Sequence, residues 1–296
     1  MSAKYEFVPG DTITIAPGRT LKRIRALISI AAAGVAPGNL GGYIESEANL
    51  AQVSGDAQVS GNAQVSGNAW MSGNARVYGD AWVSGDAQVS GNAQVSGNAW
   101  VSGNAQVSGN AWVYGNAQVS GNAQVYGNAR VYGNARVYGN AWVSGNARVY
   151  GDAQVYGNAL VYGNAWVSGN AWVSGNAQVS GDAQVSGDAW MSGNARVSGN
   201  AQVSGNARVY GNARVSGDGM IFWATNVGSE NGTLTVYSTK DNTLQVTRGC
   251  FIGSVDEFLA ASEKTHDDDT HLEYRLLIEV AHSRITRARN ALEADQ

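Results

Sequence analysis

The stretch VSGNAQVYGNARVYGNAR, residues 119–136, holds three successive copies of a six-residue unit. The unit has an aliphatic residue first, then serine or tyrosine, glycine, asparagine or aspartate, alanine and one variable residue. It recurs 28 times between Val53 and Val215 without a slip in phase, and Met71 and Met191 are the only replacements of the valine. Repetition at a short fixed period is typical of a solenoid, in which each repeat packs only on its neighbours.

The chemistry of the unit predicts one short strand and one corner. Side chains alternate along a strand, so the valine points inward while its two neighbours face solvent. Glycine adopts a positive φ at no steric cost and asparagine or aspartate tolerate it, so this pair favours a corner. The alanine fits the narrow space where the chain turns inward again. Three units close an 18-residue coil, which predicts an all-β fold: a single-stranded left-handed parallel β-helix of about nine triangular coils.

The pattern divides the chain into three predicted segments. Residues 1–50 hold all three prolines and break the hexapeptide phase. They predict an N-terminal cap, in which residues 21–28 have helical spacing, followed by an irregular first coil over 40–50. Residues 51–218 are the left-handed β-helix of 28 hexapeptides, and residues 219–296 are a small C-terminal α+β domain.

The C-terminal segment predicts the order β-β-β-α-α. Its strands are expected at 221–227, 233–239 and 244–252 and its helices at about 255–265 and 271–292. Two capping boxes, Ser254 with Glu257 and Thr270 with Glu273, predict where the helices begin. The second helix is expected to bury a stripe of Leu272, Leu276 and Val280.

Three sets of motifs carry a resemblance to a known family. They are the segment Leu21–Leu27, the run Gly41-Gly42-Tyr43-Ile44-Glu45, and the G-N-A-x-V-Y form of the repeat. With these motifs the chain resembles the hexapeptide-repeat proteins of enterobacterial phages and prophages, the YdcK-like group. Its tail, through residues 227–274, resembles a C-terminal segment common in phage-encoded proteins. The resemblance implies a phage origin and a protein of the bacterial cytoplasm or the virion, and it assigns no catalytic residue.

Catalysis is not expected in the repeats. Many left-handed β-helices are acyltransferases, which use a histidine base and loops that leave the coil. Here His266, His271 and His282 all follow the repeats, no hexapeptide is interrupted, and no serine or tyrosine has a basic partner that would activate it. We therefore predict a protein that is not an enzyme and has no cofactor.

The C-terminal segment holds two weaker chemical candidates. Cys250 and His266 form a possible thiol pair, although a small buried apolar role for the cysteine is the stronger interpretation. His266, Asp268 and His271 are metal-ligand types, and the run of aspartates between them also fits a solvated loop before a helix. The single cysteine excludes an internal disulfide and suits a reducing compartment.

Charge and hydropathy exclude some partners. The net charge is −4, and the repeats hold seven arginines against seven aspartates. Double-stranded nucleic acid is therefore not an expected ligand, because its binding requires a basic excess. The longest apolar stretch, residues 26–36, is too short to span a bilayer, so no membrane association is expected.

Two outward positions flank every valine, and residues 18 apart should stack on one face. These positions hold eight tryptophans, nine tyrosines and seven arginines, and seven of the tyrosines lie between residues 114 and 162. Stacking within the sheet explains aromatic columns by itself. Aromatic and arginine enrichment is also the composition of a protein interface. The predicted binding residues are Trp82, Trp100, Trp112, Tyr114, Arg130, Tyr132, Arg136, Tyr138, Arg148, Tyr150, Tyr156, Trp172 and Trp190.

The sequence thus predicts a non-enzymatic, phage-derived scaffold. Its rod would self-associate through flat faces as a homotrimer or homodimer, and its C-terminal domain would bind a host or phage protein. One alternative is a ligand-binding or enzymatic C-terminal domain on a passive rod. Another is a glycan-binding surface like that of a tail fibre, with sugars on the aromatic platforms; single-stranded nucleic acid would stack there too, but the zero charge of the repeats disfavours it.

Overall fold

The computed structural model describes residues 3–31, 34–52, 55–217 and 219–294. Its contacts group the chain into two compact units, residues 1–156 and 157–296, and each is described by itself. The first valine of the repeats, Val53, lies outside the described residues. The segment boundaries at 50/51 and 218/219 stay a prediction from the sequence pattern.

The first unit begins with a β-hairpin. Strands β1 (Tyr5–Ala16) and β2 (Arg19–Ala26) pair antiparallel around a turn in which Gly18 has φ +75°. The helix predicted over 21–28 is therefore wrong. Its three-residue spacing of Leu21 and Ile24, both buried, is produced by irregularities in the strand register rather than by a helical turn.

Strand β3 (Leu40–Ile44) joins the hairpin to the repeats. It pairs antiparallel with β2 on one side, and Ile44 aligns in parallel with Val65 on the other. Ile44 is fully buried and occupies a valine position of the solenoid. A short 3-10 helix, Glu47–Asn49, follows, and the buried Asn49 amide donates to the carbonyl oxygens of Gly67 and Ala69. Residues 40–50 thus contact the first repeats through β3 and the 3-10 helix; that they form an irregular first coil stays a prediction.

The repeats form short strands separated by corners. In the described part of the chain they are β4 to β30, each of two residues: Gln58–Val59, Gln64–Val65, Trp70–Met71, Arg76–Val77, Trp82–Val83, Gln88–Val89, Gln94–Val95, Trp100–Val101, Gln106–Val107, Trp112–Val113, Gln118–Val119, Gln124–Val125, Arg130–Val131, Arg136–Val137, Trp142–Val143, Arg148–Val149, Gln154–Val155, Leu160–Val161, Trp166–Val167, Trp172–Val173, Gln178–Val179, Gln184–Val185, Trp190–Met191, Arg196–Val197, Gln202–Val203, Arg208–Val209 and Arg214–Val215.

Every third strand belongs to the same parallel sheet. In the first unit the three sheets follow the orders β3-β5-β8-β11-β14-β17-β20, β4-β7-β10-β13-β16-β19 and β6-β9-β12-β15-β18. In the second unit they follow β21-β24-β27-β30, β22-β25-β28 and β23-β26-β29. Partners are 18 residues apart, as in Val107 with Val125, and the valines and alanines between them are buried. The predicted parallel β-solenoid is confirmed.

Glycine is required at the corners for two reasons. Gly127, a representative corner, has φ +72°, a conformation that L side chains rarely adopt. A Cβ atom built on it would also lie 3.1 Å from the backbone nitrogen of Gly145 in the next coil. A side chain at this corner would therefore be strained by the positive φ and would also require the next coil to move by a few tenths of an ångström.

Asparagines beside these glycines form amide ladders with a fixed direction. The Nδ2 of Asn92 donates to Oδ1 of Asn110 at 3.0 Å, and Asn110 donates to Asn128 at 3.1 Å. An aspartate accepts such a bond but has no hydrogen to pass on. Five aspartates stand at the accepting end of a ladder in this way: Asp80, Asp86, Asp152, Asp182 and Asp188.

Because the ladder has a direction, we expect Asn110→Asp and Asp80→Asn to have different effects on stability. Asn110→Asp keeps the bond from Asn92 but loses the donor to Asn128, so we expect the free energy of unfolding to fall by about 0.5–1.5 kcal/mol. Asp80→Asn supplies a donor toward Asn98, the next residue 18 positions on, and should leave stability unchanged or higher. Urea unfolding measures both variants, and an equal loss in the two would contradict the directed ladder.

The second unit ends in a four-stranded antiparallel sheet and two helices. The strands are β31 (Ile221–Val227), β32 (Gly232–Ser238), β33 (Leu244–Arg248) and β34 (Phe251–Ser254), in that order. The helices are α1 (Val255–Thr265) and α2 (Asp268–Ala294). The predicted order β-β-β-α-α is wrong by one strand, because Gly249 at φ +58° turns the predicted strand 244–252 back on itself.

Three local predictions in this region have different outcomes. The capping box of Ser254 and Glu257 is confirmed at the start of α1. The one predicted at Thr270 is wrong: α2 starts earlier, and the Thr270 backbone N–H donates to Asp267. The prediction of a buried stripe on the second helix is also wrong. Leu272, Leu276 and Val280 are 41–51% exposed, and α2 instead buries Tyr274, Ile278, Ala281 and Ile285.

Candidate binding faces of the solenoid

The first unit carries a column of tyrosines on the sheet β4-β7-β10-β13-β16-β19. We call this surface the tyrosine face; it consists of Trp112, Tyr114, Arg130, Tyr132, Arg148 and Tyr150. Tyrosines follow the valines at strand ends, and the 18-residue register places them one above another. The tyrosine rings stack in parallel, with centroids 4.9 Å apart between Tyr114 and Tyr132 and 5.0 Å between Tyr132 and Tyr150.

Trp112 and Arg130 extend this column sideways. The Trp112 ring meets Tyr114 edge-on at 6.4 Å, and the Arg130 guanidinium lies 5.4 Å from the centre of the Trp112 ring. That distance is within the range of a cation–π interaction. Trp112 remains 40% exposed, although each of these contacts covers part of it. The side chains are therefore held in order while a large apolar edge still faces solvent.

Tyr132, the middle residue of the tyrosine column, holds its proton more tightly than a free tyrosine. Burial, and then the neighbouring hydroxyls of Tyr114 and Tyr150, raise the pKa of Tyr132 above its ordinary value. Burial and then Tyr156 raise the pKa of Tyr138 in the same way. Tyr132 and Tyr138 therefore present protonated hydroxyl groups, which donate and accept hydrogen bonds, beside arginine charges.

A second face of the first unit holds Trp82, Trp100, Arg136, Tyr138 and Tyr156. Trp82 and Trp100 meet edge-to-face at 5.1 Å, whereas Tyr138 and Tyr156 stack in parallel at 5.0 Å. Trp82 donates from Nε1 to the Ser66 hydroxyl at 3.3 Å, and Tyr138 donates to Gln154 at 3.2 Å. These contacts anchor the aromatic groups to neighbouring coils, but they leave Trp100 48% exposed.

In the second unit the predicted pair Trp172 and Trp190 also stacks. The two rings are parallel with centroids 4.7 Å apart, and the Arg208 guanidinium lies 5.6 Å from the Trp190 ring. All thirteen predicted binding residues thus occupy outward positions, and each unit brings its own members into columns. The faces differ in content, since the tyrosine face alone combines a three-tyrosine column with a tryptophan and two arginines.

The chemical candidates of the C-terminal region do not come together. Cys250 lies exposed in the turn between β33 and β34, so the prediction that it is buried is wrong: the residue falls in a tight turn rather than inside a strand. His266 contacts the Ser229 hydroxyl and His271 contacts that of Ser262, each at 3.3 Å. Asp268 lies in the first turn of α2. Within the described ranges, no three His, Cys, Asp or Glu residues are grouped closely enough to hold a metal ion.

One functional arrangement was missed from the sequence: polar side chains that cap the last strand of a solenoid sheet. The Arg208 backbone N–H donates to Thr235 at 3.2 Å, and the Thr247 hydroxyl donates to the Arg208 carbonyl at 2.9 Å. The Tyr210 N–H donates to the Tyr237 hydroxyl at 3.1 Å. The only sequence signal for these contacts was that Thr235, Tyr237 and Thr247 are polar residues at inward positions of predicted strands.

In the described part of the chain, no helix combines the length and the apolar character needed to cross a bilayer. This includes α2, whose 27 residues are rich in charge.

Comparison with known families identifies the repeats. The profile described as the YdcK beta solenoid repeat matches segments that together make up more than half of the chain: residues 51–67, 57–73, 71–85, 87–103, 105–121, 123–139, 129–145, 153–169, 177–193, 191–205, 201–217 and 207–220. None of the curated proteins gives a significant match. The matched segments include most of the corners and buried valines described above, whereas Arg148, Tyr150 and Trp172 lie between matched segments. The chain belongs to the YdcK beta-solenoid repeat family.

Proposed function

We propose that the solenoid is a non-catalytic scaffold that self-associates through its tyrosine face, as a homotrimer or a homodimer. The observation that carries this proposal is an ordered but incompletely covered aromatic surface. Trp112 is 40% exposed although it contacts both Tyr114 and Arg130. Interfaces are enriched in tyrosine, tryptophan and arginine and depleted of other charged residues, which is the content of this face.

The fixed positions of these stacked side chains favour the binding of a partner. Rings that are already stacked lose little conformational entropy when a partner covers them, so more of the contact energy is realised as affinity. A parallel sheet also presents them on a flat, repeating surface, which suits the same surface of a second copy.

The test of self-association uses substitutions that the repeat itself provides. Glutamine replaces tryptophan and serine replaces tyrosine at equivalent positions elsewhere, so Trp112→Gln with Tyr132→Ser should leave the coil intact. We expect light scattering after size exclusion to give an oligomer for the natural chain at micromolar concentration and a monomer for this variant. Trp100→Gln, on a different face, is the matched control and should keep the oligomer.

Two outcomes would refute the proposed interface. One is a natural chain that elutes as a monomer over the whole concentration range. The other is loss of the oligomer in Trp100→Gln to the same degree as in the double variant, which would show that exposed tryptophans act without regard to face.

The C-terminal region supports a second role, the binding of a host or phage protein. The observation that favours this role is a stripe of exposed apolar residues along α2. They are Leu272, Leu276 and Val280, which are 41%, 51% and 47% exposed. These residues are spaced four apart and lie on one side of the helix, as apolar contacts of a helix with a partner do. Leu276→Gln should leave the oligomer of the natural chain unchanged if the stripe serves another protein, and should reduce it if the stripe joins copies of the chain.

A further inference from the structure

The second unit contains a groove lined with positive charge. It has a volume of about 180 Å³ and runs along one corner of the solenoid. Its basic residues are Arg196, Arg214 and Lys240, and its other lining residues are Gln178 and the asparagines Asn176, Asn194 and Asn212. Among the residues that the structure describes, the lining includes no acidic side chain, so three cations share one small concave surface.

The two arginines are forced into proximity by the register. Arg196 and Arg214 are direct partners in the parallel pair β27–β30, so their backbones lie about 4.8 Å apart, the usual spacing of neighbouring strands. Like charges opposite each other on a sheet repel unless something neutralises them. Among the residues that the structure describes, ion pairs join Arg19 to Glu45, Arg23 to Asp11 and Arg25 to Glu6, and none involves the groove.

The third cation, Lys240, is brought to the groove by a hydrogen bond of its backbone. The Lys240 N–H donates to the Asn212 carbonyl at 3.0 Å, which places the loop after β32 against the last coil. The Lys240 side chain is exposed beside the groove, and nothing in the described ranges pairs with it. The loop therefore adds a charge from outside the repeat to the two that the repeat supplies.

The amide ladder contributes a further donor. In this unit it runs from Asn158 through Asn176 and Asn194 to Asn212, with Nδ2 to Oδ1 distances of 3.0, 3.1 and 3.3 Å. Each amide donates to the asparagine of the next coil. Asn212 accepts such a bond, and in the described part of the chain no later asparagine accepts a bond from the Asn212 amide. The donor end of an aligned row of amide dipoles is thus at the groove, and it attracts negative charge.

From this combination we infer that the groove binds a tetrahedral oxyanion, a phosphoryl or sulfuryl group, between Arg196, Arg214 and Lys240. Arginine presents a planar set of donors that matches phosphate oxygens, lysine adds a point charge, and the free Asn212 amide completes the set. A bound dianion would neutralise the stacked arginines. The site is small and local, which agrees with a repeat region that has no overall basic excess.

A second groove in the first unit supplies a matched control. It is lined by Asp56, Asn74, Arg76, Asn92 and Gln94, so it combines a corner with two stacked asparagines and an arginine at the same position of the hexapeptide, on a different sheet. It holds one cation and one acid instead of three cations. Arg76→Gln thus removes the same charge from the same position of the hexapeptide as Arg196→Gln or Arg214→Gln, and glutamine is a residue that the repeat uses there.

Isothermal titration of the full chain with inorganic phosphate, at low ionic strength, tests the site. We expect saturable binding that Arg196→Gln and Arg214→Gln each weaken by about tenfold or more, the usual effect of losing a charge-assisted hydrogen bond. Arg76→Gln should bind like the natural chain. Sulfate as a second titrant distinguishes a site selective for phosphoryl groups from one for any tetrahedral dianion. Absence of saturable binding of either anion, or equal weakening by Arg76→Gln, would overturn the inference.

Discussion

Val107→Asp is expected to destabilise the solenoid by at least about 3–5 kcal/mol, because it places an unpaired carboxylate in a fully apolar interior. Val107 is completely buried, and its neighbours in the adjacent coils are Val89 and Val125. No water or cation can reach the new group while the coil stays closed. Urea unfolding followed by far-ultraviolet circular dichroism measures the loss, which should shrink at acid pH as the carboxyl group becomes neutral.

The adjacent residue provides the control for this substitution. Gln106 occupies the same two-residue strand but is exposed, so Gln106→Asp should change stability by no more than about 0.5 kcal/mol. Because each coil contacts only its neighbours, amide hydrogen exchange in Val107→Asp should accelerate first around residues 89–125. Equal stability of the two variants would show that the valine column is not the core.

Tyr237→Phe is the second substitution with a large expected effect. Tyr237 is fully buried, and its hydroxyl accepts a hydrogen bond from the Tyr210 N–H at 3.1 Å. Phenylalanine keeps the ring but removes the hydroxyl that accepts from this N–H, so we expect a loss of about 1–3 kcal/mol in the free energy of unfolding. Thermal or urea unfolding of the full chain measures it.

The same hydroxyl gives this variant a signature in alkaline solution. Burial raises the pKa of Tyr237 from 10.0 to about 12. Since the folded state holds the proton more tightly than the unfolded state, the stabilisation is complete below pH 10 and is lost as the pH rises to about 12. Over this window the natural chain should lose about 2–3 kcal/mol that Tyr237→Phe does not lose.

A partly exposed tyrosine on an outer face serves as the control for the alkaline experiment. Tyr162 is 39% exposed on an outer face, and Tyr162→Phe should retain the full alkaline loss of the natural chain. If Tyr237→Phe instead followed the natural chain between pH 10 and 12, the Tyr237 hydroxyl would not be the group that titrates.

The repeats were predictable because each residue of the unit has a single structural task. Valine fills the interior, glycine makes the corner at positive φ and asparagine links the coils, so the period alone specifies the parallel sheets and the stacked faces. The stacking of outward rings, such as Tyr114 on Tyr132, follows from the 18-residue register and required no further information.

The ends of the chain were less predictable because tertiary contacts decide them. Leu21 and Ile24 have helical spacing, but a turn at Gly18 and pairing with two neighbouring strands hold them in β2. In α2 two apolar stripes compete, and packing against the sheet buries the one with Tyr274 and Ile278 rather than that with Leu276. Local pattern cannot rank two such stripes when both have helical spacing.

The capping contacts and the basic groove could not be predicted from the sequence for another reason. They join residues far apart in sequence, such as Thr247 with the Arg208 carbonyl and Lys240 with the Asn212 carbonyl. Arg196 and Arg214 were visible as repeat residues, but nothing in their spacing showed that a loop would add a third cation beside them.

The 18-residue register also constrains how such a chain can lengthen or shorten during evolution. Gain or loss of three hexapeptides returns every downstream residue to its former side of the triangle, so Tyr114, Tyr132 and Tyr150 would remain in line. Gain or loss of one hexapeptide preserves the valine interior but turns all downstream side chains by one third of a revolution. A lineage can therefore reshuffle its surface by unequal recombination between near-identical units without risking its core.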